Sequence, residues 1–199
     1  MTEFTLGAKA TCTDGFCGVV RRTIVDPAAR TVTHLVIEPG HHHHTGSRLV
    51  PVELAEEAAG EIRLQCTLDE FGRLDLAEKV DVASGGYGQA NPVRGHGHAG
   101  MGVSDQTPIL VRHAVPLGEA EVVRHDPVHA TDGEIGQVEG FVVDSADHKM
   151  THILLQEGHL WGRKQVAIPA SAVVSVDAGI QLNITKKQVE ELPPLDPAG

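Results

Sequence analysis

The feature that most constrains this chain is an internal repeat. Displaced by 118 positions, Thr13-Asp14-Gly15 falls on Thr131-Asp132-Gly133, Gly18 on Gly136, Asp26 on Asp144 and Thr33-His34 on Thr151-His152. Gly40-His41 likewise falls on Gly158-His159, and Pro51 on Pro169. The register runs without a gap from residue 13 to residue 74, and 17 of those 62 positions are identical. A chain that repeats at a fixed spacing builds one supersecondary unit twice, so the fold has to be read as two copies.

Each copy reads as short strands separated by turn signals. In the first, Leu6 to Cys12 is an opening strand and Thr13-Asp14-Gly15 a tight turn, followed by a strand from Cys17 to Val25. Asp26 to Arg30 is a hairpin connection, with Pro27 at the first central turn position. Thr31 to Glu38, rich in β-branched residues, is its partner strand. Arg48 to Val52 is short and ends near Pro51, which lacks an amide proton and belongs at an edge or strand end. Glu61 to Cys66 alternates polar and apolar as a half-buried strand does. Thr67-Leu68-Asp69-Glu70 then fits a capping box, and Thr185-Lys186-Lys187-Gln188 repeats it at the same offset. In the second copy the expected strands are Pro127–Ala130, Ile135–Val143, Lys149–Gln156, Gln165–Pro169, Val173–Val176 and Ile180–Ile184, with Glu119–Arg124 as an extra strand. Both faces of Lys149–Gln156 are apolar enough for a strand curled into a small closed sheet.

The predicted organisation is residues 1–80 as the first unit, 81–118 as a linker rich in Gly and His, 119–193 as the second unit and 194–199 as a flexible tail. Within the linker, Pro108–Pro116 is apolar and Pro-bounded, and either docks as an edge strand or packs between the units.

Charge and composition narrow the function. A net charge of −11, with no basic stripe, disfavours direct nucleic-acid contact, because phosphate recognition needs Lys and Arg. With four Phe, one Trp and one Tyr, the core must be built from Val, Ile, Leu and Ala. There is no charged n-region followed by an apolar run, and no stretch approaches 18 apolar residues. The expectation is a cytoplasmic protein without a membrane span. Cys12, Cys17 and Cys66 lack CxxC spacing and read as buried, reduced thiols.

Three groups are candidate sites. His41, His42, His43 and His44, with His96 and His98, offer imidazoles suited to Zn²⁺ or Ni²⁺, although no fixed ligand spacing separates them from adventitious binding. Removing the His run would break the register to Pro51, so it belongs to the chain and not to a tag. Leu160, Trp161, Arg163 and Lys164 form a candidate partner-contact loop, since Trp and Arg are favoured interface anchors; the alternative is a Trp covering one end of the unit. His34 and His152 recur in matched strands and His41 and His159 at matched turns, where a packed, hydrogen-bonded ring is the expected role. No G-x-S-x-G, HExxH or phosphate loop is present, so no catalytic residue is assigned and no cofactor is expected.

Several elements together resemble the PRC-barrel family: the Asp132-Gly133-x-x-Gly136 turn, Val142-Val143-Asp144, Thr151-His152-Ile153, the stretch from Gly158 to Pro169 and the closing Gly179 to Pro193 segment. The likeness covers the second unit and, more loosely, the first. It implies an all-β fold of two tandem small PRC-type β-barrels, each closed by a short C-terminal helix. It also implies a non-enzymatic adaptor that binds an unidentified protein as monomer or homodimer, its two barrels paired within the chain. Related domains form the cytoplasmic part of the photosynthetic reaction-centre H chain and the C-terminal part of a ribosome-maturation factor that binds a ribosomal protein. The chain departs from the first in lacking a membrane helix and from the second in lacking that factor's N-terminal domain, so neither function transfers directly. The competing expectation is a metal-binding or pH-responsive protein using the His-rich loop and linker; the weaker one is a ribosome-maturation accessory.

Overall fold

The computed structural model describes residues 1–40, 46–82, 109–157, 165–176 and 179–192. The fold is all-β. The strands run β1 (Thr2–Thr5), β2 (Lys9–Cys12), β3 (Gly15–Asp26), β4 (Thr31–Pro39), β5 (Arg48–Pro51), β6 (Ala55–Ala58) and β7 (Glu61–Leu64), then helix α1 (Leu68–Arg73). A ribbon of β8 (Glu78–Val82) and β9 (Ile109–His113) follows. The second half is β10 (Ala120–Val123), β11 (Pro127–Ala130), β12 (Gly133–Val143), β13 (Met150–Glu157), β14 (Gln165–Pro169), β15 (Val173–Ser175), β16 (Ile180–Leu182) and α2 (Lys186–Glu190).

The repeat is one of topology as well as sequence. One sheet has the order β5-β4-β3-β2-β7-β6 and the other β14-β13-β12-β11-β16-β15. In each, a long central hairpin carries most of the pairing and a parallel contact, β2 with β7 or β11 with β16, closes the first strand onto the last pair. The recurring Thr-Asp-Gly turn has a local reason. Asp14 Oδ1 accepts the Leu68 amide at 2.8 Å and Asp132 Oδ1 accepts the Lys186 amide at 2.9 Å, so each turn caps the helix that ends its own unit. Both capping boxes form: the Thr67 and Thr185 hydroxyls accept the Glu70 and Gln188 amides, and the Glu70 and Gln188 side chains accept the Thr amides in return. The hairpin loops also match, with Arg30 at φ 55° and His148 at φ 54°.

The two units exchange strands. β1 does not join the first sheet; it pairs antiparallel with β12, placing Thr2, Glu3, Phe4 and Thr5 opposite Val143, Val142, Phe141 and Gly140. β10 pairs antiparallel with β3, placing Ala120, Glu121, Val122 and Val123 opposite Val25, Ile24, Thr23 and Arg22. Every one of these pairs maps onto its counterpart by the same displacement of 118. The hairpin loops meet reciprocally as well: the Val32 amide donates to the His148 carbonyl at 3.1 Å, and the Met150 amide to the Arg30 carbonyl at 2.8 Å. Buried side chains of both units, from Phe4, Val25 and Leu35 to Phe141, Val143 and Ile153, form one continuous core. At about 25 cal/mol per Å² of apolar surface removed from water, that shared core is the main stabilising term.

These pairings refine the sequence expectations. Glu119–Arg124 does form a strand, β10, but it is the counterpart of β1 and joins the first unit's sheet. The opening strand begins at Lys9, because Gly7 turns the chain at φ 94° out of β1. β6, Ala-Glu-Glu-Ala, carries no strand propensity; its pairing with β7 overrides the local preference. The segment read as a linker holds the end of β8 and all of β9, so Ile109–His113 docks in a separate two-stranded ribbon.

Candidate functional site

The seam where β10 crosses the first unit holds the most concentrated polar chemistry among the described residues. Arg22, on β3, is 8% exposed. Its guanidinium donates to Glu78 Oε1 at 2.7 Å and sits 3.0 Å from Glu121 Oε1 and 3.0 Å from the His113 ring. His113 Nδ1 lies 2.6 Å from Glu121 Oε2. Arginine only donates, and the same Arg22 nitrogen lies 3.0 Å from both ring nitrogens of His113; a tautomer with Nδ1–H towards Glu121 leaves Nε2 free to accept from it. The four residues come from β3, β8, β9 and β10, which makes the cluster a clasp fastening both the exchanged strand and the ribbon to the central hairpin. Arg suits this place because its rigid fork can serve several acceptors at once. Next to it Glu119 accepts the Thr33 hydroxyl at 2.6 Å and approaches His34 Nδ1 at 4.0 Å.

His34 and His152 occupy matched positions. Their Nδ1 atoms lie 3.1 and 3.2 Å from Thr33 Oγ1 and Thr151 Oγ1; the Thr151 hydroxyl donates to the Val142 carbonyl, while that of Thr33 is given to Glu119. Each His stands opposite its unit's Pro51 or Pro169 in the ladder. These rings are packed, partnered strand residues, as their recurrence suggests.

Two further features lie in and beside the first unit. Cys12, Cys17 and Cys66 are all buried and free, and all three belong to the same core cluster. Burial, reinforced by the neighbouring thiol, pushes Cys12 up to about 12; burial pushes Cys17 to about 11 and Cys66 to about 12. Separately, an open cavity of about 570 Å³ is lined by Arg48, Leu49, Leu74, Asp75, Leu76, Ala114, Val115 and Pro116. There Arg48 donates to the Leu74 carbonyl at 3.0 Å while its Nε is buried without a partner.

The candidate metal residues His41, His42, His43, His44, His96 and His98 lie outside the described residues, as does the contact loop of Leu160, Trp161, Arg163 and Lys164, and His159. Among the described residues no group of three or more His, Cys, Asp or Glu is placed to hold a metal ion, and no helix is long and apolar enough to cross a membrane. The sequence reading missed the Arg22 clasp. The signal lay in the repeat: extended back to residue 2, the register sets Thr2–Thr5 on Ala120–Val123 and Arg22 on Gly140, a position where the copies differ in kind. No protein-family model matches the chain, and no curated protein matches it.

Proposed function

We propose that the chain is a non-enzymatic adaptor of two PRC-type β-barrels, clasped into one body by their exchanged strands, which binds a protein partner through the unlike turns at 41–45 and 158–164. What carries this reading is where the residues of the family-like pattern sit. Asp14 and Asp132 cap the closing helices. Asp26 and Asp144 accept the amides of their hairpin loops at 2.8 Å. Thr151 ties β13 to β12 and Thr33 ties β4 to Glu119, and Pro51 and Pro169 end the strands opposite the two histidines. The shared residues are thus occupied with scaffolding, which leaves recognition to positions that differ between the copies. Leu160, Trp161, Arg163 and Lys164, which fall on His42, His43, Thr45 and Gly46, are the sharpest such difference in chemistry. A basic ribosomal protein is one partner compatible with a net charge of −11.

The test is co-purification of untagged protein from its own cells, repeated with Trp161→Ala. A stoichiometric protein partner, lost in the variant at unchanged Tm, is the expected result. A partner retained by the variant, or a Tm that falls with it, rejects the contact role of Trp161. The second reading, a metal or pH sensor using the His-rich turn and linker, predicts instead stoichiometric Zn²⁺ or Ni²⁺ in the same untagged protein. Calorimetry showing nothing tighter than about 10 μM, roughly 7 kcal/mol, removes it.

A further inference from the structure

The cysteine trio of the first unit has no counterpart in the second. Displaced by 118 positions, Cys12, Cys17 and Cys66 become Ala130, Ile135 and Ile184. The same architecture therefore packs well without sulfur at any of the three places. In the first unit, distant parts of the chain bring the three cysteines into one region of the buried core. Cys12 ends β2, opposite Gly15. Cys17 is the residue skipped at the bulge where Ala10 and Thr11 face Gly18 and Phe16, and both it and Cys12 are buried. Cys66 follows β7, which runs parallel to β2 with Thr11 beside Arg63. The Thr13 amide donates to the Cys66 carbonyl at 3.0 Å, which holds the Cys12 and Cys66 backbones side by side. A disulfide needs Cα atoms about 4.4–6.8 Å apart, the separation that adjacent hydrogen-bonded segments supply. Of the three, Cys12 lies on the strand paired on one side with β3, which carries Cys17, and on the other with β7, which leads into Cys66.

We propose that this trio is a site of oxidative modification, at which a small peroxide converts Cys12 and one of its two thiol neighbours into an intrachain disulfide. The step balances. One sulfur attacks the peroxide, the O–O bond breaks, a sulfenic acid forms and one water leaves. The second thiol then displaces the hydroxyl from that sulfenic sulfur, its proton leaving with the hydroxyl as a second water. Two thiols lose two electrons and two protons, and the peroxide becomes two waters. The third thiol stays reduced. Because Cys12 lies on the strand between the other two, it is common to every bridge. Burial keeps the thiolate scarce at neutral pH, so the reaction is slow there and accelerates about tenfold per pH unit in the alkaline range below the thiol pKa values.

The experiment treats the reduced, folded full chain with hydrogen peroxide between pH 8 and pH 10, quenches with acid, alkylates the remaining thiols and maps the peptides by mass spectrometry. The expected product has lost about 2 Da, keeps one alkylatable thiol and contains Cys12 in its bridge. Cys12→Ala, which installs the second unit's residue, should form no intrachain bridge. If that variant does not fold, Cys12→Ser is read the same way. Three alkylatable thiols after a treatment that oxidises the guanidinium-unfolded chain would overturn the proposal. A Cys17–Cys66 bridge, or a bridge in the Cys12 variant, would overturn it equally.

Discussion

The two seams at which the units exchange strands have the same backbone register and opposite chemistry. Where β1 lies on β12, the residue facing Thr5 is Gly140. A Cβ there would press into the Phe4 carbonyl and come within 3.0 Å of Thr5 Cα, so glycine is what lets the strands close. Where β10 lies on β3, the matched residue is Arg22, facing Val123 and held by two carboxylates and an imidazole. One seam is dry and tight, centred on Phe4 against Phe141, each 1% exposed or less; the other sets Val122 against Thr23 and adds ions. Backbone pairing sets the exchange, while each seam finds its own way to fill the space beside it.

The largest effect should come from the dry seam. Phe4→Ala removes a fully buried ring and should cost about 4 kcal/mol, against about 2 kcal/mol for Val122→Ala at the matched place, read as urea midpoints at constant m-value. Equal losses would mean that the seams are energetically alike in spite of their side chains. Gly140→Ala belongs to the same comparison: overpacking costs about 1–3 kcal/mol, here through displacement of β1, which amide exchange at Phe4 and Thr5 would report.

Next comes the ionic seam. Arg22→Ala leaves Glu78 and Glu121 without their cation. With the Arg22 side chain 9% exposed and that of Glu121 17%, the loss should be about 3 kcal/mol. Glu121→Gln with Arg22→Ala completes a double-mutant cycle, and a coupling below about 0.5 kcal/mol would show that the clasp holds nothing.

How far the sequence carried the fold follows from which residues speak locally. The capping boxes, the Thr-Asp-Gly turns and the central hairpins are written in short stretches, Thr67 to Glu70 or Asp26 to Arg30, whose turn and cap chemistry acts within a few residues. Strand exchange is not written locally: nothing within Thr2–Thr5 names its partner, and the pairing that forms buries Phe4 against Phe141. The Arg22 clasp draws on residues 22, 78, 113 and 121, and the thiol trio on 12, 17 and 66, so both become visible only after the chain is folded.

The thiols also separate the units by pH. Each has a folded value of about 11 to 12 against an ordinary value of 9.0. Below about pH 8 both states keep their protons, and stability is unaffected. As pH rises from there towards the folded values, the unfolded chain releases protons that the folded chain retains, so stability falls. The urea midpoint should therefore drop from pH 8.5 to pH 10.5 more steeply in the native chain than in the Cys12→Ala, Cys17→Ile, Cys66→Ile variant, which copies the second unit. Parallel curves would show that the trio is solvated.

The smallest effect distinguishes the two helix caps. Thr67→Ala and Thr185→Ala should each cost about 1 kcal/mol at pH 7. Their boxes, though, are closed by different acceptors, the Glu70 carboxylate in one and the neutral Gln188 amide in the other. The Thr67 amide and hydroxyl hold Glu70 below its usual value, so its contribution is present above the ordinary carboxylate range and fades as pH falls through the lowered one. Acidification should therefore shrink the penalty of Thr67→Ala and leave that of Thr185→Ala unchanged. Thermal unfolding of both variants between pH 7 and pH 3 measures this, and penalties that track each other throughout would mean that the hydroxyl alone caps both helices.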